Sequence, residues 1–296
     1  MNNKETKQKL LVSFSGGETS AFMAQWLLRN KSEEYDMVFV FANTGQENEE
    51  TLVFVDKCDK KFNLNVHWVE AVAHHGERKG CTHKIVDFET ASRNGEPFED
   101  IIKKYGIPNH SFPHCTRETK LAPITSFTRE YFGTRKYQTA IGIRVDEIDR
   151  MSSRRIENRI IYPLIEKDMV QMTKPKINFF WKTMPFRLNL RGYQGNCKTC
   201  WKKSDKKLWL IAKESPEQFN FMNDMEEKYP RVGAEFKKDE TCVDRVFFRK
   251  HRTAKDILEQ SKSFEGKVVD DAQIYDIELD LFDDTESCDV WSSCGD

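Results

Sequence analysis

The stretch that most constrains this chain is residues 9–20, KLLVSFSGGETS. Leu10, Leu11, Val12 and Phe14 form a short apolar run that stops at Ser15, Gly16 and Gly17. A run of that length bounded by glycines reads as a buried strand entering a tight loop. Thr19, Ser20 and the apolar residues 21–28 then read as a helix with a Ser/Thr-rich start. Strand, double-glycine loop and helix N-terminus together make an anion site. The glycines let the backbone approach a ligand closely, and the unpaired N–H groups and positive dipole end point at it. Phosphate is the usual occupant of such a site; a bare Gly-Gly turn is the plain alternative. Replacing Gly16 or Gly17 by Val is expected to remove binding and leave the chain folded.

The rest of the first half repeats the strand–loop–helix theme. Residues 36–42 (DMVFVFA) are a second apolar strand, ending at Asn43, Thr44 and Gly45, and residues 48–62 follow as an amphipathic helix. Residues 65–69 read as a third strand, and residues 137–143 as another that ends at Gly142. Such alternation predicts an α/β fold with a doubly wound parallel sheet and ligands at the strand C-termini. Residues 73–120 are less regular. His74, His75, Cys81 and His83 lie there at spacings that match no common zinc pattern.

Composition shifts after Leu164, so a nucleotide-site domain over residues 1–165 and a smaller, mainly helical domain over 166–296 are expected. Residues 167–196 read as irregular or helical, and residues 208–213 and 216–228 as helices. The net charge of −1 gives no global attraction to nucleic acid. No apolar run approaches the roughly 18 residues of a membrane helix. The polar start MNNKETKQK carries no apolar signal region. A cytoplasmic protein is expected, whose eight cysteines serve as thiols or metal ligands.

Cys197 and Cys200 form a Cys-x-x-Cys element beside Gly195. It sets two thiols on one turn, as a metal knuckle or as a redox pair, and Lys202, Lys203, Lys206 and Lys207 favour the thiolates. Residues 270–296 hold ten acidic residues and no Lys or Arg, together with Cys288, Trp291 and Cys294. Acidic tails are usually solvated. Arg245, Arg249, Lys250, Arg252 and Lys255 surround Phe247 and Phe248, which reads as a solvated helix with two core phenylalanines or as a base-stacking patch.

Several of these segments, in order, resemble the phosphoadenosine phosphosulfate reductase family of the PP-loop ATP pyrophosphatase superfamily. SGGETS resembles its SGGxxS phosphate loop, with Thr19 where many members carry Asp. NTGQENEET resembles its DTG…ET element, with Asn43 in place of Asp. PHCTRETK, residues 113–120, resembles its Cys-then-Lys segment, and GIRVDEIDR, residues 142–150, its GIRxxES…R element. IYPL, residues 161–164, resembles the segment that closes the nucleotide domain.

The resemblance implies that ATP or phosphoadenosine phosphosulfate binds at Ser13, Ser15, Gly16, Gly17, Glu18, Thr19, Ser20, Asn43, Thr44, Gly45, Gly142, Arg144 and Arg150. Arg144 and Arg150 are then the holders of phosphate or sulfonate oxygens, since a guanidinium offers a planar fork of donors. Arg144 and Lys120 are implied as catalytic. So is Cys294, in a terminal Cys-Gly that lacks the Glu and His of the reductase motif. A [4Fe-4S] cluster on Cys115, Cys197, Cys200 and Cys288 is implied, with zinc as the alternative. Three functions stand beside one another: sulfur chemistry on a bound sulfonucleotide, ATP-dependent sulfur transfer to a nucleic-acid base after adenylation, and nucleotide binding without catalysis. The acceptor is a small sulfur compound or nucleic acid, and the oligomeric state is open.

Overall fold

The computed structural model describes residues 7–76, 79–195, 197–237, 239 and 241–275. Cys288 and Cys294 lie outside the described residues. Six strands form one sheet: β1 (Gln8–Ser13), β2 (Tyr35–Asn43), β3 (His67–Ala73), β4 (Cys81–Val86), β5 (Gln138–Ala140) and β6 (Ile160–Ile161). Their order is β4-β3-β2-β1-β5-β6, and every pairing is parallel except that of β3 with β4.

The chain builds outward from β1 through β2 and β3, then returns to the opposite side of β1 to place β5. The reversal falls at the C-terminal end of β1, where open α/β sheets form their ligand crevice. Leu10, Leu11 and Val12 are fully buried, because the sheet is covered on both faces. On one face α1 (Glu18–Lys31), α2 (Glu49–Phe62) and α5 (Lys174–Thr183) close over Leu10, Val12 and Phe14, using Met23, Leu27, Phe54 and Trp181. On the other, Ile124, Phe127 and Phe132 of α4 (Ala122–Phe132) pack on Leu11, Val38, Val40 and Val69.

The antiparallel edge strand β4 was not expected. Its sequence CTHKIV is half polar and its residues are half-buried or exposed, so no apolar run announces it. The strand expected at residues 137–143 pairs only over Gln138–Ala140, although Ile141 and Ile143 remain buried beyond it.

The second core is helical, as expected. Helices α6 (Asp205–Glu214), α7 (Asn220–Lys228) and α8 (Ala254–Lys262) enclose Trp201, Phe219, Met222, Phe247 and Phe248. Residues 245–252 are not the solvated helix expected. Phe248 bridges Arg252 across a turn with Lys250 and His251 at positive φ, and α8 begins only after the Thr253 cap. Arg245 is bonded to Glu235 and to the Tyr105 carbonyl, and Arg252 to Asp205 at 2.7 Å, so these cations hold the chain to itself.

The compositional boundary at residue 165 does not separate the two cores cleanly. Ile177 and Trp181 of α5 lie beyond it yet join the sheet core. Phe98 and Ile102 of α3 (Glu96–Tyr105) lie before it yet join the helical core.

Candidate active site

The loop after β1 is shaped for close approach. Gly16 has φ +83°, and a Cβ there would stand 2.7 Å from Thr51 Cγ2 and 3.1 Å from the Phe41 ring. Gly17 is the N-cap of α1, extended at φ −96°, and no side chain caps the helix. Ser20 Oγ instead braces the loop from within. It donates to the Gly17 carbonyl (2.9 Å), accepts from Ser15 N (3.2 Å) and lies 3.0 Å from Ser15 Oγ. The first-turn amides of α1 are thus left without a side-chain cap and offer themselves to an anion.

Cations converge on this helix end. Arg144 follows β5, and its Nη1 donates to Thr19 Oγ1 at 3.1 Å. Its Nε and Nη2 donate to Asp146 at 3.1 and 2.9 Å, and Nη1 lies 3.1 Å from Glu147 Oε2. Glu147 also pairs with Arg150. Burial opposes the charge of Arg144, but Glu147 and Asp146 outweigh it and hold the guanidinium more firmly protonated than usual. Glu147 at the centre of this network is buried, while Arg144 and Arg150 are half-buried and Asp146 is exposed. Gly142 allows it: a Cβ at that position would come within 3.2 Å of Ser20 Cα.

Lys120 arrives from the opposite side on a single π-helical turn, Arg117–Leu121, with its Nζ 3.7 Å from Glu47 Oε1. Glu47, buried, accepts from Thr44 N (2.8 Å) and Thr44 Oγ1 (2.9 Å). One cleft is lined by Ser15, Gly16, Gly17, Glu18, Thr19, Ser20, Lys120, Gly142, Arg144 and Arg150 together. Arg144→Ala is expected to weaken ATP binding by about 1.5–3 kcal/mol, the loss of one charge-assisted bond, and to leave adenosine binding unchanged. Calorimetry with the two ligands checks it.

Ser13, Asn43, Thr44 and Gly45 are not among the residues that line the cleft, although Thr44 bonds to Glu47, which does. Asn43 is fully buried and its Nδ2 donates to Glu70 Oε1 (2.6 Å) and the Ser92 carbonyl (2.8 Å), while its Oδ1 accepts from Gly45 N (3.2 Å). Gly45 has no room for a side chain, since a Cβ would lie 2.8 Å from Gly95 N. The neighbouring residues Glu47 and Thr51 reach the cleft instead. Glu47 escaped notice in the sequence because it sits in an acidic run that any helix N-terminus would favour. Lys174, Lys203 and Lys207 also line the cleft and were not singled out as ligand contacts, since nothing in the sequence distinguishes them from surface lysines.

Glu18 lines the cleft, and its carboxylate is engaged by a cation of this chain. Arg187 grips its carboxylate with two bonds, 2.9 and 3.0 Å, and Trp181 Nε1 donates to its carbonyl at 2.9 Å. The Cys-x-x-Cys knuckle lies at the C-terminal edge of β2. Cys197 forms a bridge with Glu47, Lys198 N donates to the Gln46 carbonyl (2.8 Å), and Cys197 Sγ is 3.8 Å from Thr44 Oγ1.

Cys115 packs against the helical core. Among the described residues no three or more His, Cys, Asp or Glu side chains gather to hold a metal ion. Of the implied ligands, Cys115, Cys197 and Cys200 lie among the described residues and the fourth, Cys288, lies outside them. Two thiols on one turn fall short of the four ligands of a zinc or iron–sulfur centre. His74, His75 and His83 bond instead to Thr82, Asp100 and Ser126.

A mostly parallel α/β sheet with an uncapped Ser-Gly-Gly helix entry at its switch point and half-buried arginines beside it is the frame of a nucleotide-binding enzyme of the PP-loop type. Residues 9–161 match the phosphoadenosine phosphosulfate reductase domain, and the chain belongs to that family. It is 35% identical over 210 residues to an uncharacterized nin region protein of Escherichia phage lambda, covering 69% of each chain. Two uncharacterized proteins of Methanocaldococcus jannaschii are each 27% identical, over 144 and 170 residues. Those matches cover 46% and 55% of this chain, and 25% and 34% of the archaeal proteins. Among the described residues no helix is long and apolar enough to cross a membrane.

Proposed function

We propose that the protein binds ATP or a sulfonucleotide by its phosphates at residues 15–20 and carries out sulfur chemistry on the bound nucleotide. The observation that carries this reading is the uncapped start of α1 facing Arg144, which is fixed to Thr19 of the same loop. Lys120 and Arg144 are the groups set to stabilise negative charge growing on a departing phosphate. In the reductase form, the Cys294 thiolate attacks the sulfur of a bound sulfonucleotide. A sulfur–sulfur bond forms, the sulfur–oxygen bond breaks, and the nucleotide phosphate leaves.

A second reading uses the same cleft with ATP itself as the bound nucleotide, its phosphates at residues 15–20 and its departing charge beside Lys120 and Arg144. In it, ATP adenylates a carbonyl oxygen, on a nucleic-acid base for example, and sulfur then displaces the adenylate. Radiolabelled pyrophosphate separates the two. Exchange into ATP supports adenylation; its absence, with nucleotide release from phosphoadenosine phosphosulfate, supports reduction. Binding with neither reaction leaves a non-catalytic nucleotide-binding protein.

A thiolate-bound centre at Cys197 and Cys200 belongs to the same proposal, and no reaction step is drawn through it. Two polar atoms in that knuckle support it: Thr199 Oγ1 and Trp201 Nε1 are buried without a hydrogen-bond partner, and both can donate to sulfur. Anaerobic purification is expected to give about four iron and four sulfide per chain if the centre is a [4Fe-4S] cluster. Zinc in their place shifts weight to the adenylating reading.

A further inference from the structure

The last described segment, residues 270–275, closes one side of the cleft, where Asp271 and Ala272 join its lining. It is tied down by one backbone amide and two side chains from outside the family-matched segment. Gly192 N donates to Asp270 Oδ1 at 2.8 Å. Asn178 Nδ2 donates to the carbonyls of Asp271 (2.9 Å) and Ile274 (2.5 Å). Arg187 donates to the Ala272 carbonyl (3.0 Å) and to the Tyr275 hydroxyl (3.3 Å).

What this segment brings to a phosphate cleft is a carboxylate. Asp271 Oδ1 is buried and accepts no hydrogen bond, and it lies 3.7 Å from Lys174 Nζ, itself a cleft residue. Asp271 is also among the carboxylates that act electrostatically on Arg144. Two cations on the ligand's side thus already face a negative group. A phosphate brought beside that carboxylate would be repelled in a setting with little water to screen it. The carboxylate itself is poorly satisfied there, since a buried oxygen without a donor carries a desolvation cost. The arrangement is self-consistent while the cleft is empty and conflicts with an anion inside it.

We propose that residues 270–275 are an autoinhibitory strap, in which the Asp271 carboxylate holds the place of a ligand's anionic oxygen at Lys174 until the ligand displaces it. The proposal rests on the reading of the cleft as a nucleotide phosphate site. Arg187 makes the strap and the phosphate loop one device, because the same guanidinium that holds Ala272 and Tyr275 grips Glu18 at the start of α1.

The test is ATP binding by calorimetry on the full chain, with amide hydrogen exchange over the strap. Asp271→Asn is expected to bind ATP about tenfold more tightly than wild type, the effect of removing one facing charge. Asn178→Ala, outside the cleft, is expected to tighten binding about threefold by loosening the strap. In wild type, ATP is expected to speed exchange at residues 271–275. Unchanged or weaker binding by Asp271→Asn, while Gly17→Val still abolishes it, overturns the strap and leaves the nucleotide site standing. Slower exchange with ATP also overturns it, because the segment would then be a lid that closes on the ligand. Binding by Asp271→Asn alone supports the strap in its strongest form. Binding by neither wild type nor Asp271→Asn overturns strap and nucleotide reading together.

Discussion

Gly16→Val is expected to destabilise the protein by about 3–5 kcal/mol, from a left-handed backbone forced on a β-branched residue and from overpacking. The side chain would be driven into Thr51, Phe41 and Val55, with Thr51 Cγ2 already 2.7 Å from the nearest possible Cβ. Gly17→Val, one residue on, meets nothing nearer than Ser15 Oγ at 3.8 Å and has an extended backbone that valine adopts freely. It should fold normally and fail to bind ATP, because its methyl groups stand where phosphate meets the first amides of α1. Denaturant unfolding and calorimetry on both variants check the pair. An intact fold therefore remains the expectation for Gly17→Val and is withdrawn for Gly16→Val, where a Cβ has no room. A Gly17→Val variant that binds ATP as wild type does would remove the loop from the ligand site.

Asn43→Asp is expected to cost about 3–5 kcal/mol, the penalty for a buried charge without a partner. The change restores the residue that the family motif carries, yet here it is expected to harm. Asn43 Nδ2 is the donor to both Glu70 Oε1 and the Ser92 carbonyl, and an aspartate has no donor to offer either. It would also set a second carboxylate beside Glu70, which is fully buried and already takes bonds from Ser92 and Lys84. The loss should shrink at low pH, where protonation of the introduced carboxyl restores a donor and removes the repulsion. Thermal unfolding across pH checks both size and sign. Wild-type stability at neutral pH would show that Asn43 is replaceable.

The sheet and phosphate loop were legible because β1 is buried on both faces and must be apolar throughout, while the turn at Gly16 admits no side chain. Arg144, Arg150 and Lys120 were legible because they fall in ordered motifs, and the cleft brings all three together. The strand β4 was hidden by its polar alternation on an outer edge. Glu47 sits in an ordinary acidic run, and its partner Lys120, like Asp271 for Lys174, lies far off in sequence with no period to mark it. Asn43 was placed among the ligand contacts because its motif has a ligand role in the family. Its donor bonds to Glu70, 27 residues away, are invisible to local reading.

The Arg187 clasp on Glu18 bears on what can be inherited or transplanted as a module. The family match ends at residue 161, but α1 is complete only when Trp181 covers its face and Arg187 neutralises its first carboxylate. Cut at the end of the match, the chain would expose the apolar face of α1 and leave Glu18 without its counter-charge, at the loop proposed to take the phosphates. A swap between relatives that exchanges the matched segment alone would join a phosphate loop to a foreign clasp. The smallest unit that keeps the start of α1 packed and neutralised therefore runs through Arg187.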